Sequence, residues 1–201
     1  MMRADTDRDD EEDGAEGGFL TGQLLLAMPH LTEPPFAHAV IYVCAHTRKG
    51  AIGIVVNRPL EEPSFPDLLR QLQIAPIPPE RTVRLCFGGP VENARGFVLH
   101  TSDWTADGSL HVDGRLVLTA SLDILRAIAS GGGPKEGLLA LGYAGWGPGQ
   151  LDAEIQENVW LSLPVEDLDI VLGDDFAGKW RTAMARLRVD PSLLSGQAGH
   201  A

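Results

Sequence analysis

The sequence predicts a mixed α+β domain with a mostly antiparallel sheet, and three observations carry that expectation. Two apolar runs, 39–45 and 51–57, flank the turn residues 46–50 and read as an antiparallel hairpin. A second hairpin follows over 109–118, its turn marked by Asp113-Gly114. Amphipathic helical stretches stand at 121–130 and 175–187, with few strand–helix–strand alternations, which favours α+β over a doubly wound sheet.

Taken in order, the apolar run 19–28 reads as a buried strand, and Pro29, Pro34 and Pro35 break the chain into a loop. The runs 39–45 and 51–57 are apolar without alternation, so both faces of these strands are expected to be covered. Ser64 is placed to cap a short helix through Gln71, with Pro66 tolerated in its first turn. Pro76, Pro78 and Pro79 mark a connector. Residues 83–87 read as a strand that Gly88-Gly89-Pro90 stops, and 95–101 as another. In the helix at 121–130, Ser121 is the expected cap, Asp123 suits the dipole, and Leu122, Ile124, Leu125, Ile128 and Ala129 share one face. Residues 160–163 read as a strand and 169–172 as an edge strand. In the last helix Phe176, Trp180, Met184 and Leu187 form an apolar stripe, flanked by Lys179, Arg181, Arg186 and Arg188.

The stretch 138–160 organises the rest. It reads as a buried strand to Tyr143, a corner made of Gly145, Trp146, Gly147, Pro148 and Gly149, and a helix over 150–158. Strand, glycine turn and helix start together are an arrangement that receives anions; the same arrangement also serves as a rigid packing corner.

Charge and composition narrow the function classes. Of the 201 residues 44% are hydrophobic, enough to bury a core, and the net charge is −12. Residues 1–18 hold eight acids and two bases and so carry −6, leaving −6 on the body. This segment lacks the apolar run of a signal peptide and is expected to be a disordered acidic tail ahead of one domain spanning 19–201. An acidic body disfavours broad binding to nucleic acid or anionic lipid. No run approaches the roughly 18 apolar residues of a membrane span. Cys44 and Cys86 lack CxxC spacing and sit in apolar strands, so buried reduced thiols in a cytoplasmic setting are expected.

Candidate functional residues gather at expected strand ends: Asn57, Arg58, Gly88, Gly89, Arg95, His100, Tyr143, Gly145, Trp146, Gly147 and Gln150. Arg58 or Arg95 can pair with a phosphate or carboxylate, with the 145–149 corner as the favoured anion position. The same residues can instead cap strands and satisfy buried backbone groups. Catalytic and metal sites are not expected. His100, Ser102 and Asp103 are the residue types of a triad, but sequence neighbours seldom converge as one, and no GxSxG elbow is present. His30, His38, His46, His100 and His111 lack helical i, i+4 spacing. The bases along the last helix straddle its apolar stripe, as snorkelling side chains do.

These segments resemble the YqgE/AlgH family, the UPF0301 or DUF179 group. The matching pieces are LTGQLLLAMP (20–29), FAHAVIYVCAH (36–46), GAIGIVVNRPL (50–60), FGGPVE (87–92) and RGFVLHT (95–101). They continue with SLDILRAIASGGGP (121–134), LLALGYAGWGPGQLDAEIQENVWL (138–161) and W-x6-L-x-VDPSLLS (180–195). His30 departs from the family, which more often has Gly after Met-Pro. The resemblance implies an α+β fold with a bent, barrel-like sheet flanked by helices, in a bacterial cytosolic protein. Some members are called transcriptional regulators, yet the molecular function is uncharacterised and no catalytic residue carries over. The expectation is therefore a non-enzymatic binding or regulatory protein without a cofactor, acting through a protein partner or a small anionic ligand. Direct nucleic-acid regulation and an enzyme using the 145–149 corner are the alternatives.

Overall fold

A computed structural model describes residues 20–188; the acidic tail at 1–18 and the part of the resemblance beyond residue 188 lie outside them. The nine strands are β1 (Gln23–Ala27), β2 (Val40–Thr47), β3 (Gly50–Val55), β4 (Arg84–Phe87), β5 (Val91–Thr101), β6 (Leu110–His111), β7 (Leu116–Thr119), β8 (Gly137–Trp146) and β9 (Trp160–Pro164). The five helices are α1 (Phe65–Gln71), α2 (Leu122–Ala129), α3 (Gln150–Gln156), α4 (Asp169–Leu172) and α5 (Lys179–Arg186). All strands join one curled sheet in the order β6-β7-β5-β8-β3-β2-β1-β9, with β4 added to β8. Every pairing is antiparallel except β4 with β8. The expected α+β class with a bent, mostly antiparallel sheet is the observed one.

β8 makes the curl. Its first half pairs with β4 and β5, and Ala144, Gly145 and Trp146 then pair with β3. The change of partners falls at Gly142, whose φ is +73°. A Cβ there would collide with the carbonyl of Gly89 and come within 2.8 Å of that of Val91. The backbone of Gly88 and Gly89 likewise presses on Gly142 and Tyr143. Glycine on both sides lets two chain segments approach backbone to backbone. The strand therefore runs three residues past Tyr143, where sequence reading ended it. Gly145 and Trp146 are strand residues, and the turn proper starts at Gly147.

Three buried clusters follow from strand alternation. Leu24, Leu26, Val40, Tyr42 and Cys44 face a main core covered by α4 and α5. Leu25, Ala27, Ile41 and Val43 point the other way, under α3 and Trp160. Behind the other half of the sheet, α1 and α2 pack Phe65, Leu69, Ile124 and Ile128 on Val98 and Leu139. β2 is thus covered on both faces, as its unbroken apolar run demands. Each fully buried Leu or Ile contributes about 1.5–3 kcal/mol to the fold.

Two local expectations are corrected. Residues 169–172 form the short helix α4 rather than an edge strand: the Asp169 N–H is held by Asp167 Oδ1 at 3.0 Å, and Ile170, Val171 and Leu172 are all buried. A short apolar run does not reveal its own period, so tertiary packing decides it. The caps also divide. Ser64 closes a capping box with Asp67 at the start of α1. Ser121 adopts cap backbone angles at α2, but its side chain makes no capping bond, and its Oγ is buried without a partner among the described residues.

Candidate functional site: a basic cleft between the end of β3 and α5

The chain leaves β3 through Val56, Asn57 and Arg58. Asn57 is buried and committed to the backbone: its Oδ1 accepts from Val40 N–H at 2.8 Å, and its Nδ2 donates to His38 O at 2.9 Å. Arg58 donates to the carbonyl of Ala37. Together they fix the 37–39 segment, including His38 with its φ of +54°. The His38 ring stands edge-on to Trp180 of α5, 4.5 Å between centroids. Trp180 is anchored in turn, its Nε1 donating to Ala27 O at 2.9 Å.

Lys179 locks α5 to the same corner. Its ammonium donates to Val56 O at 3.0 Å and Val171 O at 2.7 Å and lies 4.8 Å from the centre of the Phe176 ring. Burial brings its pKa down to about 8, with Cys86 and Asp169 pulling the other way. Sequence reading set Lys179 among four bases flanking the last helix. The structure differs from the expected snorkelling at Lys179, whose ammonium is buried on two backbone carbonyls, while Arg186 lies 3.9 Å from Asp167. The set does not form one exposed basic row.

Between these walls lies a cleft of about 340 Å³, lined by His38, Asn57, Arg58, Phe176, Ala177, Trp180 and Arg181. None of its lining residues is acidic. Among the described residues neither Arg58 nor Arg181 has an ion-pair partner. The nearby acids in the segment before α5 are engaged elsewhere. Asp174 sits 3.2 Å from Arg84, and Asp175 Oδ1 accepts from Gly178 N–H at 3.0 Å. The surface around a net-negative body thus carries a local basic pocket with an aromatic wall.

The other sequence-predicted residues lie in separate surroundings. Gly88 and Gly89 support the bend of β8. Arg95 pairs with Glu92 at 3.5 Å, lies over the Phe97 ring and borders an apolar cavity of about 220 Å³. Tyr143 packs edge-on against Phe97 at 5.6 Å. His100 is fully buried; its Nδ1 donates to Thr101 O and its Nε2 accepts from Thr119 Oγ1, both at 2.8 Å. The chain continues to Ser109, whose Oγ lies 2.7 Å from Thr119 Oγ1. Burial lowers the His100 pKa. His100 is thereby a structural hydrogen-bonding residue; its ring bonds go to Thr101 and Thr119, and Asp103 is held instead by Thr101 Oγ1 and Lys135 N–H.

At the 145–149 corner the anion is the protein's own. Glu154 accepts from the indole N–H groups of Trp146 and Trp160 and from Gln150 Nε2, each at 2.8 Å. Gln150 Oε1 takes the Gly147 N–H at 3.0 Å. Trp146 and Gln150 thus meet on Glu154, and Gly147 on Gln150, apart from the cleft. In the cleft the structure places Asn57 and Arg58 of the predicted residues, and it adds His38, Phe176, Trp180 and Arg181. The sequence signal for these was the basic residue next to Trp180 on the last helix; nothing in one sequence joins that helix to residue 58.

Cys44 and Cys86 are buried free thiols, and burial raises both pKa values, that of Cys86 to about 12. Such thiols are poor nucleophiles. Among the described residues no group of three or more His, Cys, Asp or Glu side chains is placed to hold a metal ion, and no helix is long and apolar enough to cross a membrane.

Fold and site define an α+β protein built on a curled, mostly antiparallel sheet, with a basic cleft where one half-sheet meets its last described helix. Residues 24–192 match the AlgH-like family, DUF179, and the chain belongs to it. A UPF0301 protein of Rhodospirillum rubrum is 58% identical over 184 residues, covering 92% of this chain and 95% of the relative. One from Gluconobacter oxydans is 54% identical, covering 90% and 98%. Among solved structures, the AlgH protein of Pseudomonas aeruginosa is 42% identical with a TM-score of 0.73, covering 90% of this chain and 95% of that one. A Corynebacterium diphtheriae protein at 20% identity and TM-score 0.62 shares the fold, over 88% and 91% of the two chains.

Proposed function

We propose that this chain is a non-enzymatic binding protein of the cytosol whose ligand is a small anion, held in the cleft between Arg58 and Arg181. One observation carries the reading: two guanidinium-bearing side chains line the same cleft, with no carboxylate in its wall and no ion-pair partner among the described residues. Unpaired like charges in a partly enclosed site repel, and an anion between them removes that repulsion while accepting charge-assisted hydrogen bonds. The backbone bonds of Asn57 and Lys179 hold both walls before any ligand arrives, so little ordering is needed on binding. The buried free thiols suit a reducing compartment. A regulatory role would follow from occupancy of this cleft being read by a partner.

Thermal unfolding tests this reading. Phosphate at millimolar concentration should raise Tm above that in chloride of equal ionic strength, because a ligand that binds only the folded state stabilises it by mass action. Arg58→Ala and Arg181→Ala should each remove the rise. An equal rise in both variants would overturn the reading.

A further inference from the structure

Resting on the anion-binding reading just given, we infer that the cleft selects a doubly charged phosphate monoester with an apolar or aromatic organic group, rather than a carboxylate.

The first support is charge. Arg58 and Arg181 each bring a guanidinium group to the cleft, and none of the residues lining it with them is acidic. A carboxylate or phosphodiester brings one negative charge and leaves the pair uncompensated. A phosphate monoester brings about 1.5 to 2 negative charges at pH 7.

The second support is direction. Arg58 comes from the segment after β3 and Arg181 from α5, so the two arginines line the cleft from different elements. A planar carboxylate offers two oxygens whose acceptor sites lie in one plane, so two guanidinium groups share it best when both approach within that plane. Tetrahedral phosphate offers three terminal oxygens pointing in different directions and can take donors from both walls, with the His38 imidazole beside them.

The third support is room and lining. The cleft of about 340 Å³ lies within the roughly 300–1,000 Å³ range of small-molecule sites, well above what one phosphate fills. Its remaining wall is Phe176, Trp180 and Ala177. An apolar ester group resting there gains contact that inorganic phosphate lacks. Trp180 is fixed by its bond to Ala27 O and by the edge of His38, which makes this wall rigid.

Calorimetric titration of the full chain with four probes tests the proposal: phenyl phosphate, methyl phenyl phosphate, benzoate and inorganic phosphate at pH 7.5. Phenyl phosphate should bind at least tenfold tighter than the monoanionic diester and benzoate, and several-fold tighter than inorganic phosphate. Arg58→Ala and Arg181→Ala should each weaken it tenfold or more. Arg181 is exposed and makes no described backbone bond, so its variant stays informative if loss of the Arg58–Ala37 contact disturbs the 37–39 segment. Benzoate or the diester binding as tightly as phenyl phosphate would overturn the monoester inference while leaving anion binding intact. Absence of binding by all four probes, or binding unchanged in both variants, would overturn the anion-binding reading itself.

Discussion

The Lys179 ammonium donates to the carbonyl of Val56 from 3.0 Å, so a residue of α5 holds the strand exit that carries Asn57 and Arg58. Its second acceptor is Val171 O, and no carboxylate shares the bond. Burial is the main cause of its low pKa, about 8, against about 10.4 for an ordinary lysine. The sign of the stability effect follows. Between these two values the unfolded chain binds more protons at this position than the folded one, so stability from this group rises with pH across that window. Below pH 8 the buried charge costs on the order of 3 kcal/mol relative to its relief at high pH. Cys44, Cys86 and Tyr42, all raised by burial, act in the opposite direction; Cys44 and Tyr42 are common to wild type and Lys179→Met, while Cys86, which Lys179 pulls down, rises further in the variant and so adds no opposing difference in this pH range. Urea unfolding at pH 7 to 10.5 should therefore show wild type gaining on Lys179→Met as pH rises. A flat difference would mean the amine keeps an ordinary pKa.

The two serine caps make opposite predictions. Ser64→Ala removes a bond to the Asp67 N–H and should cost about 1 kcal/mol. Ser121→Ala removes a buried hydroxyl with no partner among the described residues and should be neutral or slightly stabilising. Chemical denaturation of both variants checks the pair; equal losses would show that Ser121 caps α2 after all.

Gly142 and Gly108 separate backbone strain from crowding. Both have positive φ, +73° and +79°, but a Cβ at Gly108 meets open space, whereas at Gly142 it meets the carbonyls of Gly89 and Val91. Gly108→Ala should cost about 1–2 kcal/mol, the penalty of a left-handed L-residue. Gly142→Ala should cost more than about 4 kcal/mol, or prevent folding, because the bend of β8 cannot open without losing its pairing.

Glu154 binds two indole N–H groups that are otherwise buried. Glu154→Ala leaves both without an acceptor and should cost about 2–5 kcal/mol. Tryptophan emission should shift as the packing of Trp146 and Trp160 loosens, and an unchanged Tm and spectrum would show that these bonds contribute nothing.

Much of the fold was legible because its elements announce themselves locally. The β2–β3 hairpin, the Ser64 cap and the α2 stripe each follow from residues close together in sequence, the longest of them spanning Val40 to Val55. The 138–160 stretch organises the sheet as its sequence suggests, since β8 pairs with β3, β4 and β5. The exact place of its bend was not legible, because Gly142 differs from Gly145 only by what packs on it, Gly89 and Val91 from distant parts of the chain. α4 is hidden for the same reason: Ile170, Val171 and Leu172 fit a strand as well as a helix until the core above them is known. The cleft depends on pairing residues 38 and 58 with 176–181, a juxtaposition that no local pattern encodes. Glu154 was missed as the internal anion of the corner because its indole donors come from two different strands.

The most direct test is a two-dimensional 1H–15N NMR titration of the full chain with phenyl phosphate, followed at backbone and side-chain N–H groups. The largest shifts should fall on Arg58, Arg181 and the indole N–H of Trp180, saturating together, with Gly145, Gly147 and Gly149 nearly still. Shifts centred on those glycines and Gln150, with the Arg58 cleft unmoved, would contradict the account and return the site to the corner at the end of β8.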